Sequence, residues 1–163
     1  MNNQNKVTNL LFEELELAVR TSKKLILKIN DDQWNYRPKE NMRSLKELVH
    51  HLVSIPLADL TCLLLEKSEE EYRQIETDIL DCNQPEILGN LMEQNYQKLK
   101  VYIDSLSEDD LMNKRTKPFY YENEGYVQLK WLMEIVTHTY HHRAQLFNYL
   151  KQVDHDINMF DLY

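Results

Sequence analysis

Residues 131–151, WLMEIVTHTYHHRAQLFNYLK, contain neither glycine nor proline. Wound as a helix at about 100° per residue, they place Trp131, Ile135, His138, His142, Leu146 and Tyr149 on one broad stripe. An apolar stripe of this kind has to be buried against other elements, so the run demands partners. It also carries two imidazoles. His138 and His142 are four residues apart and leave the same side of the helix one turn from each other. Such a pair is half of a metal site by the logic of H-E-x-x-H, although the glutamate of that motif is missing. The rest of the chain can be read as supplying a third ligand and the walls.

The chain of 163 residues suits one domain, 1–163, with one core. Only 2 glycines and 4 prolines interrupt it, which favours a mostly helical fold. Apolar residues at helical spacing predict a first helix over about 6–27, ended by Asn30, Asp31 and Asp32. Trp34 and Tyr36 in the connector are expected to tuck into the end of a bundle. Ser44 and Glu47 form the S-x-x-E of a capping box, which starts a second helix running to about residue 65. Pro56 predicts a kink or break in it. The acidic run over 66–82 reads as a solvated face, a loop or a short helix, rather than a cation site. Asn83 to Glu86 resembles another capping box, with Pro85 in the first turn of a third helix that ends near 103–106. Ser107 caps a short turn over 108–112. The aromatic-rich residues 113–125 read as a loop or short hairpin, the fourth helix as about 126–153, and the tail as packing back on the bundle. The natural packing of four such helices is an all-α four-helix bundle, with longer second and third connections at 66–82 and 113–125.

Charge excludes some functions. A net charge of −8 argues against nucleic-acid binding, which needs a concentrated basic patch. The nearest candidate, Arg37, Lys39, Arg43 and Lys46, is interrupted by Glu40 and followed by Glu47. Cys62 and Cys82 lie outside any C-x-x-C and are too few for a disulfide framework, so they read as reduced thiols of a cytoplasmic protein. The segment MNNQNKVTNL has no apolar run of a signal peptide. The apolar-rich residues 48–65 contain two histidines, Pro56 and Asp59, and do not read as a membrane span.

Five of the 6 histidines fall in two clusters, His50/His51 and His138/His141/His142. A catalytic type of zinc site uses three protein ligands and keeps a fourth position open. Three imidazoles suit nickel, copper and ferrous iron as well. One histidine of the second helix would complete the triad. Periodicity does not choose between His50 and His51, since each flanks the apolar stripe of its helix. His141, about 100° from His142, is expected at the edge. Gln145 and Glu134 flank the pair, either orienting the imidazoles or making ordinary polar contacts. Asp59, Glu134 and His141 are the candidate proton acceptors, and no residue is singled out as catalytic.

Two passages carry a family resemblance. Residues 42–52, MRSLKELVHHL, are similar to the S-x-x-E-hydrophobic-x-x-His-Leu start of the second helix in the DinB/YfiT-like superfamily. Residues 138–146, HTYHHRAQL, resemble its H-x-x-x-H-R-x-Q signature in the last helix. Trp34 with Pro38, the SEDDL stretch and the DLY ending also look familiar. Ala144 stands where glycine is frequent, and Pro56 is unusual. The resemblance places the metal ligands at His51, His138 and His142 and leaves His50 outside. It implies an up-up-down-down-like bundle, often a homodimer, with a divalent metal such as zinc or nickel in a cleft. It further implies a small-molecule substrate. Some such proteins are thiol S-transferases that use bacillithiol, mycothiol or glutathione as cosubstrate, and others are described as metal-dependent hydrolases. The expectation is therefore an enzyme that activates a low-molecular-weight thiol or a water at a tris-histidine site. The alternative is a non-enzymatic metal-binding stress or interaction protein. Fold and metal together do not choose the reaction.

Overall fold

A computed structural model describes residues 3–163, with side chains from Lys6 onward. The reading of the first ten residues as lacking a leader includes Met1 and Asn2, which lie outside the described residues. Four long helices form the body: α1 (Asn3–Ile26), α2 (Leu45–Asp59), α4 (Pro85–Asp104) and α6 (Gln128–Gln152). Two shorter helices lie in the connections, α3 (Glu69–Thr77) and α5 (Glu108–Asn113). A two-stranded antiparallel ribbon, β1 (Arg115–Thr116) with β2 (Tyr126–Val127), precedes α6. The all-α four-helix bundle expected from the periodicity is the observed fold.

Helix starts follow from side-chain caps. Ser44 accepts a hydrogen bond from the Glu47 N–H at 3.2 Å, and the Glu47 carboxylate accepts one from the Ser44 N–H at 2.6 Å. That bond, together with Arg37, holds the Glu47 carboxyl below its ordinary value of 4.5. Glu47 therefore contributes stability above that value and loses it as pH falls through its lowered one. Ser44→Ala is expected to cost about 1 kcal/mol in urea unfolding at neutral pH. Ser68 with Glu71 and Ser107 with Asp110 form the same reciprocal cap on α3 and α5. The cap expected at Asn83 is not formed. Gln84 occupies the N-cap without a side-chain hydrogen bond, and Pro85 takes the first helical position, where a missing N–H leaves no donor unsatisfied.

The helix containing Pro56 does not break there. It continues to Asp59 and then widens into a π-helical turn, Leu60–Leu64, whose last bond runs from the Leu65 N–H to the Leu60 carbonyl. Burial of Pro56 among apolar neighbours holds the helix together despite the missing N–H, and the irregularity falls one turn later. Leu45–Leu64 is long and apolar enough to cross a membrane, but 78% of its most apolar window is buried inside the bundle.

α1 packs against α4 and α6, and α2 packs against the same two, so α1 and α2 sit diagonally. Contacts along the helices give direction. Phe12 meets Tyr96 while Lys23 meets Glu93 and Asn90, so α1 and α4 are antiparallel. On α2, Val53 receives the Asn95 amide and the following Leu64 the Tyr102 hydroxyl, so α2 and α4 are parallel. Arg43, just before α2, receives the Tyr149 hydroxyl, whereas Asp59 meets His138, so α2 and α6 are antiparallel. The order is up-down-down-up, not the up-up-down-down order implied by the resemblance. The connection over 65–84 returns the chain along the bundle, which makes α2 and α4 parallel.

One contiguous core includes Leu15, Leu52, Leu88, Met92, Leu99, Trp131 and Ile135, each at most 2% exposed. Each such side chain contributes about 1.5–3 kcal/mol through burial. Trp34 is buried and Tyr36 packs edge-on against Tyr149, as expected of the connector. The tail returns through Ile157, which is buried, and a 3-10 turn, Met159–Asp161.

Candidate metal centre

The stripe of α6 faces α2, and His51, His138 and His142 meet across this interface. One ring nitrogen from each lies within 4.8 Å of the others. The ring centroids are 4.5 Å apart for His51 and His142, 4.9 Å for His138 and His142, and 5.3 Å for His51 and His138. His142 is buried, and the other two are half-buried.

Each Nδ1 has its own acceptor. His51 Nδ1 donates to Glu76 Oε1, His138 Nδ1 to Asp59 Oδ2 and His142 Nδ1 to Gln145 Oε1, each at 2.8 Å. A carboxylate only accepts, so the hydrogens of His51 and His138 sit on Nδ1. Gln145 is oriented from both ends, since its Nε2 donates to His141 Nε2 at 3.1 Å. With the Nδ1 positions committed, the Nε2 lone pairs are left for one another. His51 Nε2 and His138 Nε2 are 3.3 Å apart. Two neutral lone pairs facing at that distance repel, and a cation between them removes the repulsion. Two tetrahedral zinc ligands at about 2.1 Å would be separated by about 3.4 Å. The donor set therefore fits a divalent metal, and the acceptors behind it are those that orient metal-binding imidazoles. Gln145→Ala is expected to weaken zinc binding by about 10- to 100-fold, read by competition with a chromogenic chelator.

Electrostatics agrees with a neutral His142. Burial, with neighbouring His51, pushes His142 down to about 3. The hydrogen bond from His51 holds the Glu76 carboxyl below the ordinary carboxylate range.

The structure separates His50 from His51. The His50 ring turns to the Cys82 carbonyl at 2.7 Å and is buried there, away from the centre. His141 is exposed at the edge, as expected, in contact with the His142 ring. Glu134 does not orient an imidazole, because it pairs with Lys130 at 2.5 Å on the outer face of α6. Arg143, which follows the histidine pair, also points elsewhere. It donates to Thr21 on α1 and to the Leu162 carbonyl, joining α6 to α1 and the tail.

Asp59 was among the candidate proton acceptors, and its observed partner is His138. Glu76 was missed altogether. It sits on α3, in the acidic run read as solvated. The signal was present, since Ser68 and Glu71 form an S-x-x-E that starts a helix. Nothing local indicates that this helix lies over His51.

A cleft of about 460 Å³ opens beside His138 and His141, with Asp59 and Glu134 among its walls. Tyr72, Tyr120, Tyr121 and Trp131 also line it. The β1–β2 ribbon sets the position of the loop that carries Tyr120 and Tyr121. Gly125 closes that loop with φ of 70°, and a Cβ there would collide with the Thr116 carbonyl oxygen.

Comparison with known proteins gives a consistent picture. A crystal structure of a protein assigned to the DinB family, from Exiguobacterium sibiricum, is similar with 28% identity and a TM-score of 0.75, over 95% of this chain and 96% of that one. A DinB-like protein of Bacillus subtilis shares the fold at 19% identity, with a TM-score of 0.65 over 91% and 94% of the two chains. No curated protein matches the chain. The DinB family model matches residues 1–163 throughout, and the chain belongs to the DinB family.

Proposed function

We propose that His51, His138 and His142 hold a divalent metal, zinc or nickel, and that the protein is a metal-dependent enzyme acting on a small molecule. The observation that carries this reading is the commitment of every Nδ1 to an acceptor while the remaining nitrogens converge. A bound divalent ion supplies the Lewis acidity that lowers the pKa of a thiol or a water into the neutral range. Glu76, Asp59 and Gln145 keep the three rings in the tautomer and orientation that binding needs. The aromatic cleft beside His138 positions the reacting molecule. Among the candidate proton acceptors, Asp59 and Glu134 already serve His138 and Lys130. His141 lines the cleft, stays exposed and bonds the neutral Gln145 amide rather than a charged partner, so it is the proposed proton acceptor.

Thiol S-transfer is the favoured reaction, because a low-molecular-weight thiol binds a three-imidazole centre through one sulfur and leaves the cleft free for the electrophile. The homodimer implied by the family resemblance and the cytoplasmic location read from the reduced cysteines belong to the same proposal. Light scattering tests the first and fractionation the second.

The test begins with metal analysis of the purified protein after reconstitution with zinc or nickel, where one ion per chain is expected. A screen of bacillithiol, mycothiol and glutathione against a model electrophile then measures turnover. Metal removal is expected to abolish turnover with limited loss of helix. Stoichiometric metal without turnover of any thiol or ester substrate would instead favour a non-enzymatic metal-binding protein, and unfolding on metal removal would mark a structural site.

A further inference from the structure

The cleft has a chemical character of its own. Its rings form a continuous chain, edge-to-face for Tyr120 and Tyr121 with centroids 5.4 Å apart and tilted for Tyr121 and Trp131 at 5.9 Å. Phe119 links Tyr120 to Tyr72 on α3, at 5.1 and 6.0 Å. The Trp131 N–H is committed to the Thr116 carbonyl at 3.0 Å, which fixes that ring. The carboxylates among its walls are Asp59, which accepts from His138, and Glu134, which is paired with Lys130 at 2.5 Å. Burial, reinforced by the Asp59 charge, pushes the Tyr72 and Tyr120 hydroxyls up to about 12, so both rings are neutral and keep an electron-rich face. Cys62, also in the wall, is held as a neutral thiol by burial, which pushes it up to about 11.

We propose that this cleft binds a small planar aromatic cation, held against the rings of Tyr72, Tyr120 and Tyr121, with the buried Trp131 behind them, and drawn in by Asp59. Aromatic faces attract an organic cation through their quadrupoles, and flat rings attract flat ligands. Asp59 disfavours carboxylate, phosphate and sulfonate ligands, since no lysine or arginine is among the lining residues. Asp59 and Glu76, behind two of the histidines, offset the charge of a divalent ion, so the preference for a cation is expected to be stronger in the zinc-free protein than in the zinc-loaded one. The proposal deepens the enzymatic reading and rests on it for the role of the bound molecule as the acceptor substrate. Binding itself depends only on the cleft.

Full-length protein, zinc-loaded and zinc-free, is titrated with three probes by calorimetry and Trp131 fluorescence. Benzyltrimethylammonium cannot ligate a metal and presents the ring and the charge. Phenylmethanesulfonate keeps the ring and reverses the charge. Cyclohexylmethyl-trimethylammonium keeps the charge and loses the aromatic ring. The expected result is at least tenfold tighter binding of the first probe than of either other. Tyr120 is 60% exposed, so Tyr120→Ala is expected to leave the circular dichroism spectrum unchanged. It is expected to weaken the cation by roughly fivefold, with Tyr120→Phe restoring it. Equal or tighter binding of the sulfonate overturns the proposal, as does an unchanged affinity in Tyr120→Ala. Stoichiometric zinc with no preference for the aromatic cation overturns the cleft proposal alone. Cation binding that persists in a protein unable to take up metal supports it while removing the metal reading.

Discussion

His138→Ala is expected to lower zinc affinity on the order of a thousandfold or more, while the circular dichroism spectrum and unfolding midpoint of the metal-free protein change little. The affinity loss follows from the ligand count. Removing an orienting group behind an imidazole costs about 10- to 100-fold, and removing the imidazole leaves two ligands where the site has three. A thousandfold corresponds to about 4 kcal/mol. The small effect on the fold follows from position. The His138 side chain is 30% exposed, and its hydrogen-bond partner Asp59 sits at the cleft, where water can replace the lost bond. His142→Ala would confound the two effects, since His142 is 5% exposed and its removal leaves a hole in the helix interface. Zinc affinity within tenfold of wild type in His138→Ala would refute the tris-histidine centre. His50→Ala provides the contrast, with zinc affinity expected to remain near wild type because that ring serves the Cys82 carbonyl instead.

Trp131→Ala is expected to destabilise the protein by about 3–5 kcal/mol, lowering the thermal midpoint by roughly 10 °C. Trp131 is 2% exposed and lies where α6, the β1–β2 ribbon and the aromatic loop meet. Its ring contacts Tyr126 at 5.1 Å and Tyr121 at 5.9 Å, and its N–H holds the Thr116 carbonyl. Alanine would leave a large cavity and an unpaired buried carbonyl together. The wall of the cleft should loosen as well, so a fall in cation affinity is expected alongside the fall in stability. A midpoint within 2 °C of wild type would show that the ribbon and loop are held by something other than this ring. Trp131→Phe refills most of the volume without the hydrogen bond and is expected to recover most of the lost stability.

Zinc binding itself is expected to raise the midpoint of the wild-type protein, since an ion that binds only the folded state stabilises by mass action. The rise should vanish in His138→Ala and persist in Trp131→Ala. The two substitutions thereby separate the centre from its scaffold.

Much of this protein is legible in its residues alone. The helical periodicity, the Ser44–Glu47 cap and the i, i+4 pair His138/His142 depend on neighbours within one or two turns, and local geometry sets them wherever the chain folds. The same holds for the family motifs. Local pattern left His50 and His51 equivalent, and only the likeness to a known motif separated them before the fold was seen. The structure separates them physically, because the α2–α6 packing turns one ring to the centre and the other to Cys82.

What the chain did not disclose locally is who stands behind each imidazole. Glu76 is 25 residues from His51, and Asp59 is 79 from His138. Their meeting depends on the parallel placement of α2 and α4, on α3 crossing above α2, and on the π-helical turn after Asp59. Gln145 is the exception, three residues from His142 and legible as a flanking group. The helices, their faces and two of the three converging histidines are thus determined by sequence alone, because a helix repeats every 3.6 residues and its neighbours are known in advance. The third histidine and the acceptors behind the rings were decided by tertiary structure, because side chains far apart in the chain meet only through the packing of whole helices.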